Sequence, residues 1–339
     1  PIPTVIHTRR IDREDFSYEG IGDYTTTRAN LKIQDGCNFM CSFCLIPFAR
    51  GKERSRELDD AVREAEQLVE RGHREIVLTG VNIGQFSNRK LGILELIQRL
   101  EAIPSLARIR ISSIEPTTIP EALLDYMSTS TKLCRFLHVP LQSGDNGILD
   151  AMNRRYTVEE YSEWVVRAAR KVPDVCIGTD LMVGFPGEDG QRFAQTRAVV
   201  ADLPLAYFHV FSYSARPGTA AIRLKFQVPA QTIKERSANL SELSRVKRAE
   251  FYQRFIGQNV PVLFESSERV GWWSGLTDNY IRVRVPSVAA LANEIHSVHL
   301  TGVMGESAVG EPLLEDGHSI KKREISKNPE EDQDMQVLP

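Results

Sequence analysis

The chain has 339 residues, 42% of them hydrophobic, with 42 Lys and Arg set against 45 Asp and Glu for a formal net charge of -3. That length exceeds one small domain and predicts a large domain plus a smaller one, while the near-neutral balance excludes a global basic field, so nucleic-acid contact must come from local patches. No window of about 18 apolar residues occurs and the opening PIPTVIHTRR has no apolar signal core, which excludes the membrane-spanning and secreted classes and predicts a cytoplasmic protein.

Pro1 stands where an initiating Met is expected, so the chain reads as a piece of a longer product, and residues 1–28 read as an N-terminal segment or linker. From 29 to 228 short β-type runs alternate with helical patterns. The predicted strands are Asn30 to Gln34, Glu75 to Thr79, Arg108 to Ser113, Phe136 to Pro140, Cys176 to Val183 and Tyr207 to Tyr213. Leu58, Ala61, Val62, Ala65, Leu68 and Val69 recur at helical spacing, as do Leu91, Leu94, Leu96, Ile97 and Leu100, so the connections are amphipathic helices. Six parallel βα units suit an incomplete (βα) barrel or a doubly wound sheet, and in both the chemistry sits at the C-terminal strand ends. A mixed-charge helix follows as a connector over 229–256, with Arg245, Lys247, Arg248 and Arg254 in its basic stretch. Short β-runs over 257–318 predict a small all-β barrel of the oligonucleotide-binding type. The charged, apolar-poor residues 319–339 are expected to be disordered.

Three of the five cysteines fall within eight residues, in DGCNFMCSFC directly after the first predicted strand. An odd, bunched set suits an intracellular metal site better than a disulfide framework. Structural zinc needs four ligands, and no further Cys or His follows until His73. Unrelated core thiols do not fit either, because Asp35, Gly36, Asn38 and Ser42 give the segment loop chemistry. Cys37, Cys41 and Cys44, spaced C-x3-C-x2-C, suit a [4Fe-4S] cluster with one iron left open. Cys134 and Cys176 lie in or beside apolar strand runs and read as core thiols.

C-x3-C-x2-C after the first strand of a six-fold βα repeat resembles the radical S-adenosylmethionine (SAM) enzymes. In these the open iron chelates SAM and a 5'-deoxyadenosyl radical is generated from it, so the cofactor carries the hard step. KIQDGCNFMCSFCLIPFARGKERSR, IVLTGVNIGQF, RIRISSIEP, LHVPLQSGDNGILDAMNRRYT, DLMVGFPGE and FSYSARPGTAA together look like the methylthiotransferases. GLTDNYIRVRV looks like their RNA-binding TRAM domain. LTGVNIG and RIRISSIEP are more similar to the branch acting on N6-threonylcarbamoyladenosine than to the isopentenyladenosine branch.

The resemblance implies a partial (βα)6 TIM-like barrel followed by a TRAM barrel, a [4Fe-4S] cluster on Cys37, Cys41 and Cys44, and SAM as second cofactor. It points to Thr79, Gly80, Val81, Asn82, Ser113, Glu115, Gln142, Ser143 and Asp180 as SAM-binding candidates, with Asp145, Gly184 and Gly187 in the same motifs. The implied reaction is methylthiolation of C2 of the modified adenosine at tRNA position 37. Its implied partners are a tRNA anticodon stem-loop and an electron donor such as flavodoxin or ferredoxin, with the protein as a monomer. Methylthiolation of isopentenyladenosine, or of an aspartate in a ribosomal protein, stands as the alternative within the class, and a zinc-dependent RNA-binding protein without catalysis as the rival outside it.

RNA-facing candidates are Arg50, Lys52 and Arg54 in RGKERSR, and Trp272, Trp273, Tyr280, Arg282 and Arg284 in the β region. Aromatic faces there can stack bases while Arg neutralises phosphate. The family also has an N-terminal domain with three cysteines for a second [4Fe-4S] cluster. Residues 1–28 contain no cysteine, so that second cluster is expected only in the full-length architecture.

Overall fold

A computed structural model of the chain describes residue 16 and residues 26–269 and 271–313. Most of the N-terminal segment and the whole of the predicted disordered tail lie outside the described residues. The first half runs β1 (Arg28–Lys32), β2 (Gln34–Asp35), α1 (Ile46–Arg50), β3 (Arg54–Ser55), α2 (Leu58–Glu70), β4 (Glu75–Thr79), α3 (Ile93–Glu101), β5 (Arg108–Ile111) and α4 (Glu121–Thr129). It continues through β6 (Phe136–His138), α5 (Asn146–Ala151), α6 (Val158–Lys171), β7 (Cys176–Val183), α7 (Gly190–Asp202), β8 (Tyr207–Ser212) and α8 (Ala230–Gln253). The remainder is β9 (Asn259–Arg269), β10 (Trp272–Thr277), β11 (Arg282–Pro286), β12 (Ile295–Met304) and β13 (Ser307–Pro312).

Two three-stranded sheets, β1-β4-β5 and β6-β7-β8, are parallel throughout. Isolated parallel bridges Ile109↔Leu133 and Ser113↔His138 stitch β5 to β6, so six parallel strands follow one another in chain order. Their alternation separates two faces. Ala29, Leu31, Ile76, Leu78, Ile109, Ile111, Leu137, Ile177, Leu181 and Phe208 share one core with the helical stripes, among them Leu58, Ala61, Ala65 and Leu68 of α2. Arg110, His138, Asp180 and His209 alternate with these residues and therefore lie on the opposite, inner face. Helices on one face only, with polar and aromatic side chains on the other, give an α/β layer whose inner face is free to hold chemistry.

Local signals explain where the helices begin. Thr157 caps α6, its hydroxyl accepting from Glu160 N–H (3.2 Å) while the Glu160 carboxylate accepts from Thr157 N–H (2.8 Å), a reciprocal capping box. Val158, Tyr161, Trp164, Val165 and Ala168 then form its buried stripe.

Strands β9 to β13 close into a five-stranded barrel in the order β10-β11-β13-β12-β9, around Val262, Phe264, Val283, Val285, Val298, Leu300 and Ala308. This barrel meets the sheet at the N-terminal ends of the strands. Arg108 donates to Leu276 O and Pro261 O, both at 2.8 Å, and Arg110 donates to Asp278 O (2.9 Å) and Thr277 O (3.0 Å). The Arg110 guanidinium also binds Glu75 (2.6 Å), and the Phe136 and Tyr280 rings stack at 4.2 Å beside it. Cys134 and Cys176 are buried in this same layer. Burial pushes both thiols up to about 12, against the pull of Arg110.

Candidate radical and cofactor site

The cysteine loop is held in shape by groups on either side of it. The short β2–β3 pair closes its base, with Gln34 opposite Ser55 and Asp35 opposite Arg54. Gly36 takes φ +72°, and a Cβ there would stand 2.0 Å from Lys52 O, so only glycine fits this crossing. Cys37 N–H donates to Gly51 O at 3.1 Å. Gln34, fully buried, donates to Asp35 O and Gly36 O, while its own oxygen accepts from Val81 N–H (2.9 Å) and Asn82 N–H (2.8 Å). One side chain thus ties the cysteine loop to the TGVN turn after β4.

The other flank is the turn between α5 and α6. Ser42 bonds Ala151 O (2.7 Å) and Met152 O, Asn153 donates to Met40 O (2.7 Å), and the Arg155 guanidinium lies 4.4 Å over the Phe39 ring.

Each of the three sulfurs accepts one N–H: Cys37 from Phe39 N (3.3 Å), Cys44 from Ile46 N (3.4 Å) and Cys41 from Arg154 Nη1 (3.3 Å). All five cysteines are free thiols, and these three alone are partly exposed. Burial pushes the Cys37 and Cys41 thiols up, and the neighbouring sulfurs and Glu115 add to that, while Phe39 N–H and Arg154 respectively oppose it. Thiols that repel one another's charge, yet are each supplied with a sulfur-directed donor, suit a cationic iron centre that supplies the missing positive charge. The donor set therefore fits a cluster held by three cysteines.

Arg154 is the residue that organises this end of the inner face, and nothing in the motif reading singled it out. Its Nη2 pairs with Glu115, and its Nε donates to Tyr156 OH (3.0 Å), which itself donates to Pro140 O (2.8 Å). Burial pushes the Glu115 carboxyl above the usual carboxylate range while Arg154 pulls against it, and Asp180 adds repulsion. Burial would lower the Arg154 guanidinium, but Tyr156, Glu115 and Cys41 hold it charged.

The other predicted residues separate into groups. Asn82 is buried, within reach of Thr118 Oγ1 (3.2 Å), and Thr79 O accepts from Ile33 N–H. Ser113 bridges to His138, and Gln142, at φ +72°, donates its N–H to Asp180 O (2.8 Å). Gly80 packs against Gln34 and Ile83, while the buried Ser143 hydroxyl lies 3.4 Å from Thr196 on α7. Asp145 caps α5 by accepting from Ile148 N–H, and Gly184 N–H donates to Glu188. Asp180 lies between His138 Nε2 (2.8 Å) and His209 Nδ1 (3.3 Å). Burial raises its pKa, but the two histidines outweigh that and bring it to about 2.

Two of the RNA-facing expectations meet a different outcome. Arg54 is buried, donating to Arg50 O (2.8 Å) and Lys52 O and facing Asp35, so its charge is spent inside the loop. Tyr280 stacks between Phe136 and Tyr207 with Arg110 on its face, so it packs the sheet–barrel junction and presents no open stacking surface. Trp273 packs against the barrel core. Arg50 and Lys52 are exposed, while Trp272, Arg282 and Arg284 are partly exposed, with Arg282 3.5 Å from Glu265.

Residues 31–200 match the radical SAM superfamily. The chain is 36% identical over 264 residues to the threonylcarbamoyladenosine tRNA methylthiotransferase MtaB of Bacillus subtilis, covering 76% of this chain and 58% of that protein. It is 37% identical to the protein of that name from Chlamydia pneumoniae, covering 87% of this chain and 69% of that one. It is 38% identical to a Wolbachia tRNA-2-methylthio-N(6)-dimethylallyladenosine synthase, covering 75% and 58%. The chain thus spans roughly three-fifths to two-thirds of the length of these relatives. With the cysteine loop, its three sulfur-directed donors and the superfamily match in agreement, the chain belongs to the methylthiotransferase family of radical SAM enzymes, whose cofactors are a [4Fe-4S] cluster and SAM.

Proposed function

We propose that this chain is the radical-generating and RNA-holding part of a tRNA methylthiotransferase that modifies C2 of N6-threonylcarbamoyladenosine at position 37. The observation that carries the reading is the set of three cysteine sulfurs, each met by its own N–H, beside the Glu115–Arg154 pair at the C-terminal strand ends. Cys37, Cys41 and Cys44 hold the cluster; the cluster with SAM supplies a radical able to take hydrogen from a C–H bond beyond the reach of any side-chain base. Arg154 holds its guanidinium charge against the Cys41 sulfur and orients Glu115. Gln34 keeps the cysteine loop and the TGVN turn in one rigid unit, and Thr79, Gly80, Val81, Asn82, Ser113, Glu115, Gln142 and Asp180 line the path where SAM binds.

Substrate is a tRNA anticodon loop, already single-stranded, so a base can reach the inner face without duplex melting. The five-stranded barrel is read as the TRAM module. With Tyr280 and Arg54 engaged internally, its RNA contacts fall to Trp272, Arg282 and Arg284, joined by Arg50 and Lys52 of the cysteine loop. Relatives named for the threonylcarbamoyl and for the dimethylallyl substrate are equally similar, at 36–37% and 38%. Preference for the former rests on LTGVNIG and RIRISSIEP. A flavodoxin- or ferredoxin-type donor supplies the electron.

Anaerobic reconstitution tests the cluster: a brown protein with iron–sulfur absorption that Cys41→Ala abolishes is expected, and a colourless, zinc-loaded protein overturns the reading. Mass spectrometry of tRNA nucleosides from a strain lacking the gene tests the substrate. Loss of the methylthio form of threonylcarbamoyladenosine is expected, and its persistence removes that assignment.

A further inference from the structure

A second constellation occupies the inner face: it shares Asp180 with the path assigned to SAM, and its two histidines belong neither to that path nor to the cysteine loop. His138 ends β6, Asp180 lies in β7 and His209 in β8, three neighbouring strands in fixed register, with Asp180 directly opposite His209. One carboxylate oxygen, Asp180 Oδ1, stands 2.8 Å from His138 Nε2 and 3.3 Å from His209 Nδ1. The two imidazoles stack with centroids 5.1 Å apart and an interplanar angle of 28°. On the far side of His138, Nδ1 is 3.2 Å from Tyr207 OH, which is buried.

These spacings are those of a ligand set. Around an ion with metal–nitrogen and metal–oxygen bonds of about 2.0–2.2 Å, neighbouring donors at right angles are separated by about 3 Å. Two imidazole nitrogens and a carboxylate oxygen form the donor set of mononuclear iron(II), zinc and cobalt(II) sites, and such a set leaves positions open. Tyr207 OH, 3.2 Å from Nδ1, stands where ligating histidines have an outer partner on their second nitrogen; in the tautomer that donates Nδ1–H to it, the Nε2 lone pair faces Asp180. With that lone pair facing a carboxylate oxygen, either a proton or a cation has to lie between them. The His209 side chain is 52% exposed, so an ion here would be reached from the open inner face, and its remaining positions would point into the same space. The donors are nitrogen and oxygen, whereas the cysteine loop offers sulfur, so the two sites select different metal chemistry.

We propose that His138, Asp180 and His209 form a mononuclear divalent transition-metal site, separate from the cysteine cluster.

The test uses the full chain with Cys37, Cys41 and Cys44 all changed to Ser, which removes sulfur-bound iron, alongside the reconstituted protein. Cobalt(II) is added, unbound metal is removed by gel filtration, and retained metal is measured with the visible spectrum. The Ser variant is expected to keep one cobalt per chain, with ligand-field bands and no sulfur-to-cobalt charge transfer. His209→Ala and Asp180→Asn added to that background should reduce retention at least tenfold. His209 is half-exposed, so a circular-dichroism melt matching that of the parent shows that its loss is not an unfolding effect. No retained cobalt in the Ser variant, or equal retention after His209→Ala, overturns the site and identifies the triad as a proton-linked hydrogen-bond network.

Discussion

Arg154 carries more of the site than its place in a charged run suggests. Its guanidinium meets Cys41, Glu115 and Tyr156 at once, with 3% of the side chain exposed. Removing one partner of a buried pair leaves the other charge uncompensated, so Arg154→Ala is expected to cost about 3–5 kcal/mol. Adding Glu115→Gln to Arg154→Ala should recover most of that loss, and urea denaturation of the two singles and this double closes the cycle. Additive losses in the double variant would show that the pair is not coupled. At Asp180 the folded pKa lies below the ordinary 3.8, near 2. Its stabilising contribution is therefore complete above 3.8 and disappears as pH falls through about 2, a loss on the order of 2 kcal/mol. Acid titration of Asp180→Asn should lack this part of the transition, and an acid limb identical to that of the parent would contradict it. Cys37, Cys41 and Cys44 were legible from spacing alone. Arg154, Gln34, His138 and His209 were not: each is a common polar residue whose role arises from a partner distant in the chain, as with Gln34 and Asn82 or Arg154 and Cys41. The signal available for them was only a polar residue inside an apolar strand, or an Arg-Arg-Tyr run in a turn.

Strands β4 and β7 occupy the predicted Glu75 to Thr79 and Cys176 to Val183, because β-branched and apolar runs bounded by turn residues leave little freedom. The first predicted strand, Asn30 to Gln34, instead divides into β1 (Arg28–Lys32) and the β2 segment. The reason is pairing: Arg28 to Lys32 lie against Glu75 to Thr79, while Gln34 and Asp35 turn to meet Arg54 and Ser55 and close the cysteine loop. That closure makes Gly36 the most constrained point of the loop. Gly36→Ala adds a Cβ 2.0 Å from Lys52 O and imposes left-handed strain of about 1–2 kcal/mol on top of the clash. Iron and sulfide analysis after reconstitution should show most of the cluster lost, with the far-ultraviolet circular dichroism unchanged, since the loop lies outside the main core. Full cluster loading would show that the crossing can relax.

At the scale of the molecule, the sheet and the barrel are joined by buried arginines rather than by a flexible hinge. Arg108 and Arg110 reach from β5 into carbonyls of Pro261, Leu276, Thr277 and Asp278, and Arg135 pairs with Asp278 at 2.7 Å. Arg110→Ala leaves the buried Glu75 with the longer Arg108 contact, at 3.9 Å, and takes the guanidinium from the face of Tyr280, at an expected cost of about 3–5 kcal/mol. Calorimetry is expected to resolve two melting transitions in this variant and one in the parent. A single shifted transition would mean that the apolar contacts of Phe136, Tyr207 and Tyr280 suffice to couple the parts.

The sequence by itself determined the α/β alternation, the β-rich end, the cysteine set and the family, because these are carried by local periodicity and by residues close together in the chain. Only the tertiary structure decided that Tyr280 and Arg54 face inward, that Arg154 sits on Cys41, and that His138, Asp180 and His209 converge. Those outcomes depend on which residues become neighbours when parallel strands align. That register is set by core packing on the helix-covered face and leaves no periodic trace in the polar residues of the other.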